Sequence, residues 1–276
     1  MAEEVVIGSM REASELVADA KVADVKALFD THVNDGKVIV VVEGDDDKYV
    51  YEKVFDPAAV CFYVDGDCEK HFVILDALNS RYANRMLAIK DADFDLLEGR
   101  VHPYPNMVLT DAHDTEGMIV EECLPELKGD DAVRCCGITL APIYAELMEI
   151  SYLKWYNHTT HSGLNFKNVI PDMDFARYFS TVVSNTNNIV TVTLADVASF
   201  KGSNLGAPEK QLCNGHDILE RIYVRAKAVN VANFHKKKFF KRLRLAYPKD
   251  KFVNTNLFRA IKVWEDANGH SILAVA

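Results

Sequence analysis

The run Lys37–Glu43, "KVIVVVE", constrains this chain more than any other stretch. Its apolar residues are all β-branched and do not alternate with polar ones. A strand with one wet face alternates, whereas one buried on both faces reads as a continuous apolar run. Burial on both faces calls for a largely parallel sheet with helices on each side. The flanking chain supplies those elements. Ser9 to Val33 carries apolar residues at helical spacing. "DDDKYVYEKVF" reads as a helix that Asp45 or Asp46 can cap, with negative charge suited to its N-terminus. "AVCFYVD" is a second strand, "CEKHFVILDALNSRY" a second helix, "RMLAIKDADFD" a third strand running into acid, and "NMVLTD" a fourth strand. The order strand, helix, strand, helix, strand, strand predicts an α/β fold with a largely parallel sheet flanked by helices.

The composition changes after about Pro125. Helices are expected over Ile143–Tyr156, Phe175–Val183, Asp217–Val229, His235–Tyr247 and Asn254–Asp266. "HTTHSGLNFKN" and "SFKGSNLGAPEKQLCNGHD" read as connecting loops. The expected division is an α/β domain with an N-terminal helix over residues 1–125 and a mainly helical region over 126–276.

No apolar stretch approaches the ~18–20 residues of a membrane span. The acidic N-terminus lacks a signal-peptide pattern, so the cytoplasm is expected. Cys61, Cys68, Cys123, Cys135, Cys136 and Cys213 form no CxxC pair, which argues against a zinc ribbon and for buried thiols. A net charge of −10 excludes coating of nucleic acid through bulk charge, so any such contact needs a local patch.

In a parallel sheet, function collects at the carboxyl ends of the strands. Two strands here end in acid, one in Glu43-Gly44 and one in "KDADFD". Asp91, Asp93 and Asp95 alternate, so an extended segment would place all three on one side. If the two strands are neighbours, Glu43 and these aspartates converge into the hard oxygen set that Mg²⁺ or Mn²⁺ takes. Asp111, Asp114 and Glu116 follow the fourth strand, and Glu116 is a further candidate ligand. The structural alternatives are a capped strand-to-helix turn for "EGDDD", a solvated loop for "DADFD" and a helix cap for Glu116. Asp47 is an additional candidate within "EGDDD".

A glutamate after one strand and a DxD after a later one, about fifty positions apart, resembles the TOPRIM domain of topoisomerases, bacterial primases and OLD-family nucleases over roughly residues 37 to 125. Over most of the chain, "EGDDDKYVYEKVF", "KDADFD", "LTDAHDTEGMIVEE" and "CNGHDIL" resemble a TOPRIM-like family of bacterial defence loci that includes the nuclease subunit of PARIS anti-phage systems. The resemblance implies a TOPRIM-like sheet and metal-dependent cleavage of host RNA, notably tRNA, as a toxic effector. It also implies control by an ABC-like ATPase partner. Glu43, Asp91 and Asp93 would be catalytic metal residues, with Asp95 and Glu116 as further ligands. Homodimerisation is left open.

"NFHKKKFFKRLR" holds six Lys or Arg in an otherwise acidic protein. On a helix, Phe239, Phe240 and Leu243 would face the core while Lys236, Lys237, Lys241 and Arg244 face out. That face is either solvated or a phosphate contact. His216, at a helix start in "CNGHDILERI", is either a structural hydrogen-bonder or an RNA or proton-transfer group. His113, His158 and His161 show no ligand spacing. There is no GxxxxGK[ST], so the chain has no P-loop of its own. Two other classes compete with the nuclease. A nucleotide-sugar glycosyltransferase would use the DxD but leave Glu43 without a role. A sensor or scaffold would keep the fold without turnover.

Overall fold

The computed structural model describes residues 2–66, 68–126, 137–171, 174–186, 191–228 and 235–275. The chain forms two compact units, neither continuous in sequence. Met1–Asp91, His102–Leu109 and Lys249–Ala276 make the first, and Ala92–Val101 and Thr110–Pro248 the second.

The first unit is α/β. Its elements are α1 (Ala2–Asp30), β1 (Val38–Val42), α2 (Asp45–Tyr51), β2 (Val60–Val64), α3 (Cys68–Tyr82), β3 (Met86–Lys90) and β4 (Met107–Leu109). The four strands form one parallel sheet in the order β2-β1-β3-β4. Every residue of β1 and β3 is buried, as the unalternating "VIVVV" requires. Ile39, Val41, Met86 and Ala88 on one face pack with Val25 and Phe29 of α1 and with Ile74, Leu75 and Leu78 of α3. On the elements around the sheet, α2 contacts β1 and β2.

The C-terminal segment belongs to this unit, so a single cut near residue 125 does not reproduce the two units. The packing explains why. Phe252 sets its ring edge against Tyr51, and the last long helix, Asn256–Asn268, contacts β4. Buried Glu265 accepts the N–H groups of Ile272 and Leu273 at 2.5 and 2.9 Å. The tail then bonds back to the chain after α2, where Ala274 N–H donates to the Val54 carbonyl at 2.8 Å.

The second unit is helical: α4 (Asp95–Glu98), α5 (Thr115–Glu126), α6 (Leu140–Thr160), α7 (Phe175–Ser184), α8 (Leu194–Ser203), α9 (Glu209–Leu212), α10 (Gly215–Ala228) and α11 (Lys236–Ala246). The remaining helices, α12 (Lys249–Phe252) and α13 (Asn256–Asn268), are those of the first unit's C-terminal segment. Part of the expected loop 199–217 is helical. Thr193 and Asp196 cap each other's backbone N–H at 3.2 and 2.8 Å, which starts α8 and carries it to Ser203. α9 is a further short turn in the same stretch. Among the described residues, no helix is long and apolar enough to cross a membrane.

Candidate functional site

Glu43 and Asp91 lie in the first unit, at the carboxyl ends of adjacent parallel strands. β1 and β3 pair Ile39↔Met86, Val40↔Leu87 and Val41↔Ala88. Such strands run about 4.8 Å apart, so residues leaving them in register start as neighbours. Glu43 follows Val41 by two residues and Asp91 follows Ala88 by three. Both are half-buried. Buried Lys90 is the last residue of β3, and its ammonium donates to the Asp91 carbonyl at 2.7 Å. The signal for this lysine in the sequence is "IKD", a cation directly beside the acid.

Asp47 has a structural role. Its buried carboxylate accepts the Gly44 N–H at 2.8 Å and closes the first turn of α2. A Cβ on Gly44 would lie 3.2 Å from that carboxylate, a tight contact at the bend. Asp45 and Asp46 are exposed at the same helix start, where negative charge faces the helix N-terminus.

Asp93, Asp95 and Glu116 lie in the second unit. The expected alternation of Asp91, Asp93 and Asp95 on one side of an extended segment is not what forms. β3 ends at Lys90. Ala92 N–H goes to the Thr110 hydroxyl at 2.9 Å, and Asp93 N–H goes to the His113 carbonyl at 2.7 Å. Asp93 takes a left-handed φ of 46°. Asp95 turns inward as the first residue of α4, is buried, and lies 3.7 Å from the Arg100 guanidinium. Asp95 therefore does not face solvent, the alternative to a ligand role.

His113 organises this turn. Nδ1 lies 3.3 Å from the Gln211 carbonyl, and Nε2 lies 3.9 Å from a carboxylate oxygen of Asp93. Burial lowers the His113 pKa, while Asp93 and the Gln211 carbonyl pull it up.

Glu116 is buried against the Arg244 guanidinium at 2.5 Å. The sequence pattern placed Glu116 among metal ligands and Arg244 on the solvent face of its helix. Instead the pair rivets α5 to α11. Next to it, Asp114 accepts Gly117 N–H through Oδ1 and Gly215 N–H through Oδ2, both at 2.7 Å. Burial, then the Glu116 charge, pushes the Asp114 pKa up to about 7. A Cβ at Gly215 would lie 2.2 Å from the Asp114 carboxylate and 2.4 Å from Gly117 N. "DTEG" and "CNGHD" are thus two halves of one joint. His216, the second residue of α10, is exposed and near enough to favour the charged form of Asp114.

On α11, Phe239 and Leu243 are buried as expected. Lys237, Lys238, Lys241 and Arg242 are exposed. Lys236 is half-buried, pairs with Glu220 and stands over the Phe240 ring. Asn233 and Phe234 of the basic stretch lie outside the described residues. Cys123 and Cys213 are buried thiols, and burial pushes the Cys213 pKa up to about 12. The side chains of Cys68, Cys135 and Cys136 lie outside the described residues.

Among the described residues, no group of three or more His, Cys, Asp or Glu is gathered closely enough to hold a metal ion. No family model, curated protein or solved structure matches the chain.

Proposed function

We propose that the chain is a metal-dependent TOPRIM-type nuclease whose Mg²⁺ or Mn²⁺ is held by Glu43 and Asp91. The supporting observation is that these carboxylates leave two adjacent, fully buried parallel strands at the same end of the sheet. The donor chemistry fits, because Mg²⁺ keeps several waters and uses one or two carboxylates plus substrate phosphates. A cage of three protein ligands is not required. Once bound, the ion would neutralise a scissile phosphate and acidify a water. Glu43 would hold the ion or take the proton of the attacking water. Asp95, Asp47 and Glu116 keep structural roles.

RNA, notably tRNA, is the substrate class favoured by the resemblance to defence nucleases. An ABC-like ATPase encoded alongside is the expected regulator, acting in the cytoplasm. Phosphate contact falls to Lys237, Lys238, Lys241 and Arg242, the exposed cations of α11. Lys238 and Arg242 stand in for Lys236, which pairs with Glu220, and for Arg244, which is committed to Glu116.

A second reading is a scaffold that keeps the fold without turnover. One assay separates the two. The protein, alone and with the neighbouring ATPase, is incubated with labelled tRNA, single-stranded DNA and UDP-sugars in Mg²⁺, Mn²⁺ or EDTA. Cation-dependent cleavage of RNA supports the nuclease. Intact nucleic acid in every arm supports the scaffold, and sugar release would support a glycosyltransferase.

A further inference from the structure

We propose that His71, through Asp65, is a positioning residue for the strand ends that carry Glu43 and Asp91. The inference rests on the metal reading above.

His71 is the fourth residue of α3 and is fully buried. Its Nδ1 lies 2.6 Å from a carboxylate oxygen of Asp65, the residue that follows β2. Its Nε2 lies 3.2 Å from the carbonyl oxygen of Ile89 in β3. In the sheet, β1 runs between β2 and β3. One imidazole therefore reaches from the end of β2 to the end of β3 past the strand that carries Glu43. Ile89 precedes Asp91 by two residues.

The backbone completes the brace. Asp65 N–H donates to the Val42 carbonyl at 3.0 Å, and Gly66 N–H donates to the Glu43 carbonyl at 2.8 Å. The ends of β1, β2 and β3 thus meet at this one buried pair. Asp65 is only 1% exposed and already faces His71, so it supports the site rather than facing a ligand.

Stability alone does not call for such a pair. Buried ionic groups are costly to desolvate, and apolar residues of similar volume serve as well or better. The surrounding core is apolar, with Ile74, Leu75 and Met86 fully buried. At the strand ends the requirement differs, because carboxylates that repel one another must be held at a fixed separation to receive a cation. The ring faces two acceptors, a carbonyl and a carboxyl group.

The test is Mn²⁺ binding by isothermal titration, at a temperature where circular dichroism shows each variant folded. His71→Asn keeps a donor near the Nδ1 position, and His71→Gln keeps one near Nε2. His71→Leu removes both. Supports behind metal ligands are commonly worth roughly 10–100-fold in affinity. We expect His71→Leu to lose that much, with the Asn and Gln variants in between. The double variant Asp65→Asn/His71→Leu strands no buried carboxylate. It should regain the melting temperature without regaining Mn²⁺ affinity. Wild-type affinity in His71→Leu, or recovery of both properties in the double variant, would reduce the pair to a folding element and overturn the inference. If the wild-type protein itself binds no Mn²⁺, the metal reading has failed and the inference falls with it.

Discussion

Arg244→Met decides whether the basic helix spends this arginine on RNA or on the fold. The Glu116 and Arg244 side chains are only 4% and 6% exposed, and their charged atoms are 2.5 Å apart. Removing one partner of a buried ion pair costs about 3–5 kcal/mol, because the remaining charge is stranded. Here it is stranded beside Asp114, whose own pKa already stands near 7. At about 2–4 °C per kcal/mol for a domain of this size, the melting temperature should fall by about 6–20 °C. Glu116→Gln combined with Arg244→Met should recover most of the loss, since both charges are gone. Thermal melts followed by circular dichroism give the stability, and filter binding of labelled RNA at several salt concentrations gives the contact. The reasoning is refuted if Arg244→Met melts like the wild type but binds RNA more weakly, with a smaller salt slope. That result would put the guanidinium in solvent on a phosphate.

Gly215→Ala forces a methyl group to within 2.2 Å of the Asp114 carboxylate; overpacking of this kind costs about 1–3 kcal/mol, and urea denaturation should report a loss at or above that range. Asp114 has a folded pKa of about 7 against an ordinary value of 3.8, so the folded state holds a proton that the unfolded chain releases. This group's stabilising contribution is complete below about pH 4 and declines up to about pH 7; Asp114→Asn should lack that slope in melts across the range. Changing Lys237, Lys238, Lys241 and Arg242 together to Glu should weaken RNA binding and flatten its salt dependence, because fewer counterions are released. An unchanged slope would leave the helix face merely solvated.

Local pattern was enough for the sheet. "VIVVV" is buried on both faces as its unbroken apolar run requires, "MLAIK" is buried likewise up to and including its terminal Lys90, and α3 spans the stretch read as a helix. The failures came from partners far away in sequence. "DADFD" continues the third strand on paper, but Thr110 and His113 capture the N–H groups of Ala92 and Asp93 and end the extended run. Arg244 sits on an exposed position of its helix by spacing alone; Glu116, 128 residues earlier, draws it inward. The Asp114 joint to Gly215 spans 101 residues, and only the oddly placed glycine of "CNGHD" hinted at it. Asp65 and His71 were readable as a strand end and a helix residue, not as a pair. α8 was a different kind of miss, since its capping pair, Thr193 and Asp196, was present in "TLAD".

The proposed function requires that Glu43 and Asp91, at the ends of β1 and β3, together hold a divalent cation. Electron paramagnetic resonance of bound Mn²⁺ tests it directly, by titrating the wild type, Glu43→Gln and Asp91→Asn under identical conditions. Binding by the wild type, with loss of the bound-ion signal in each variant and unchanged melting temperatures in the metal-free proteins, is the predicted result. A wild type that binds no Mn²⁺, or binding that survives both substitutions, would contradict it.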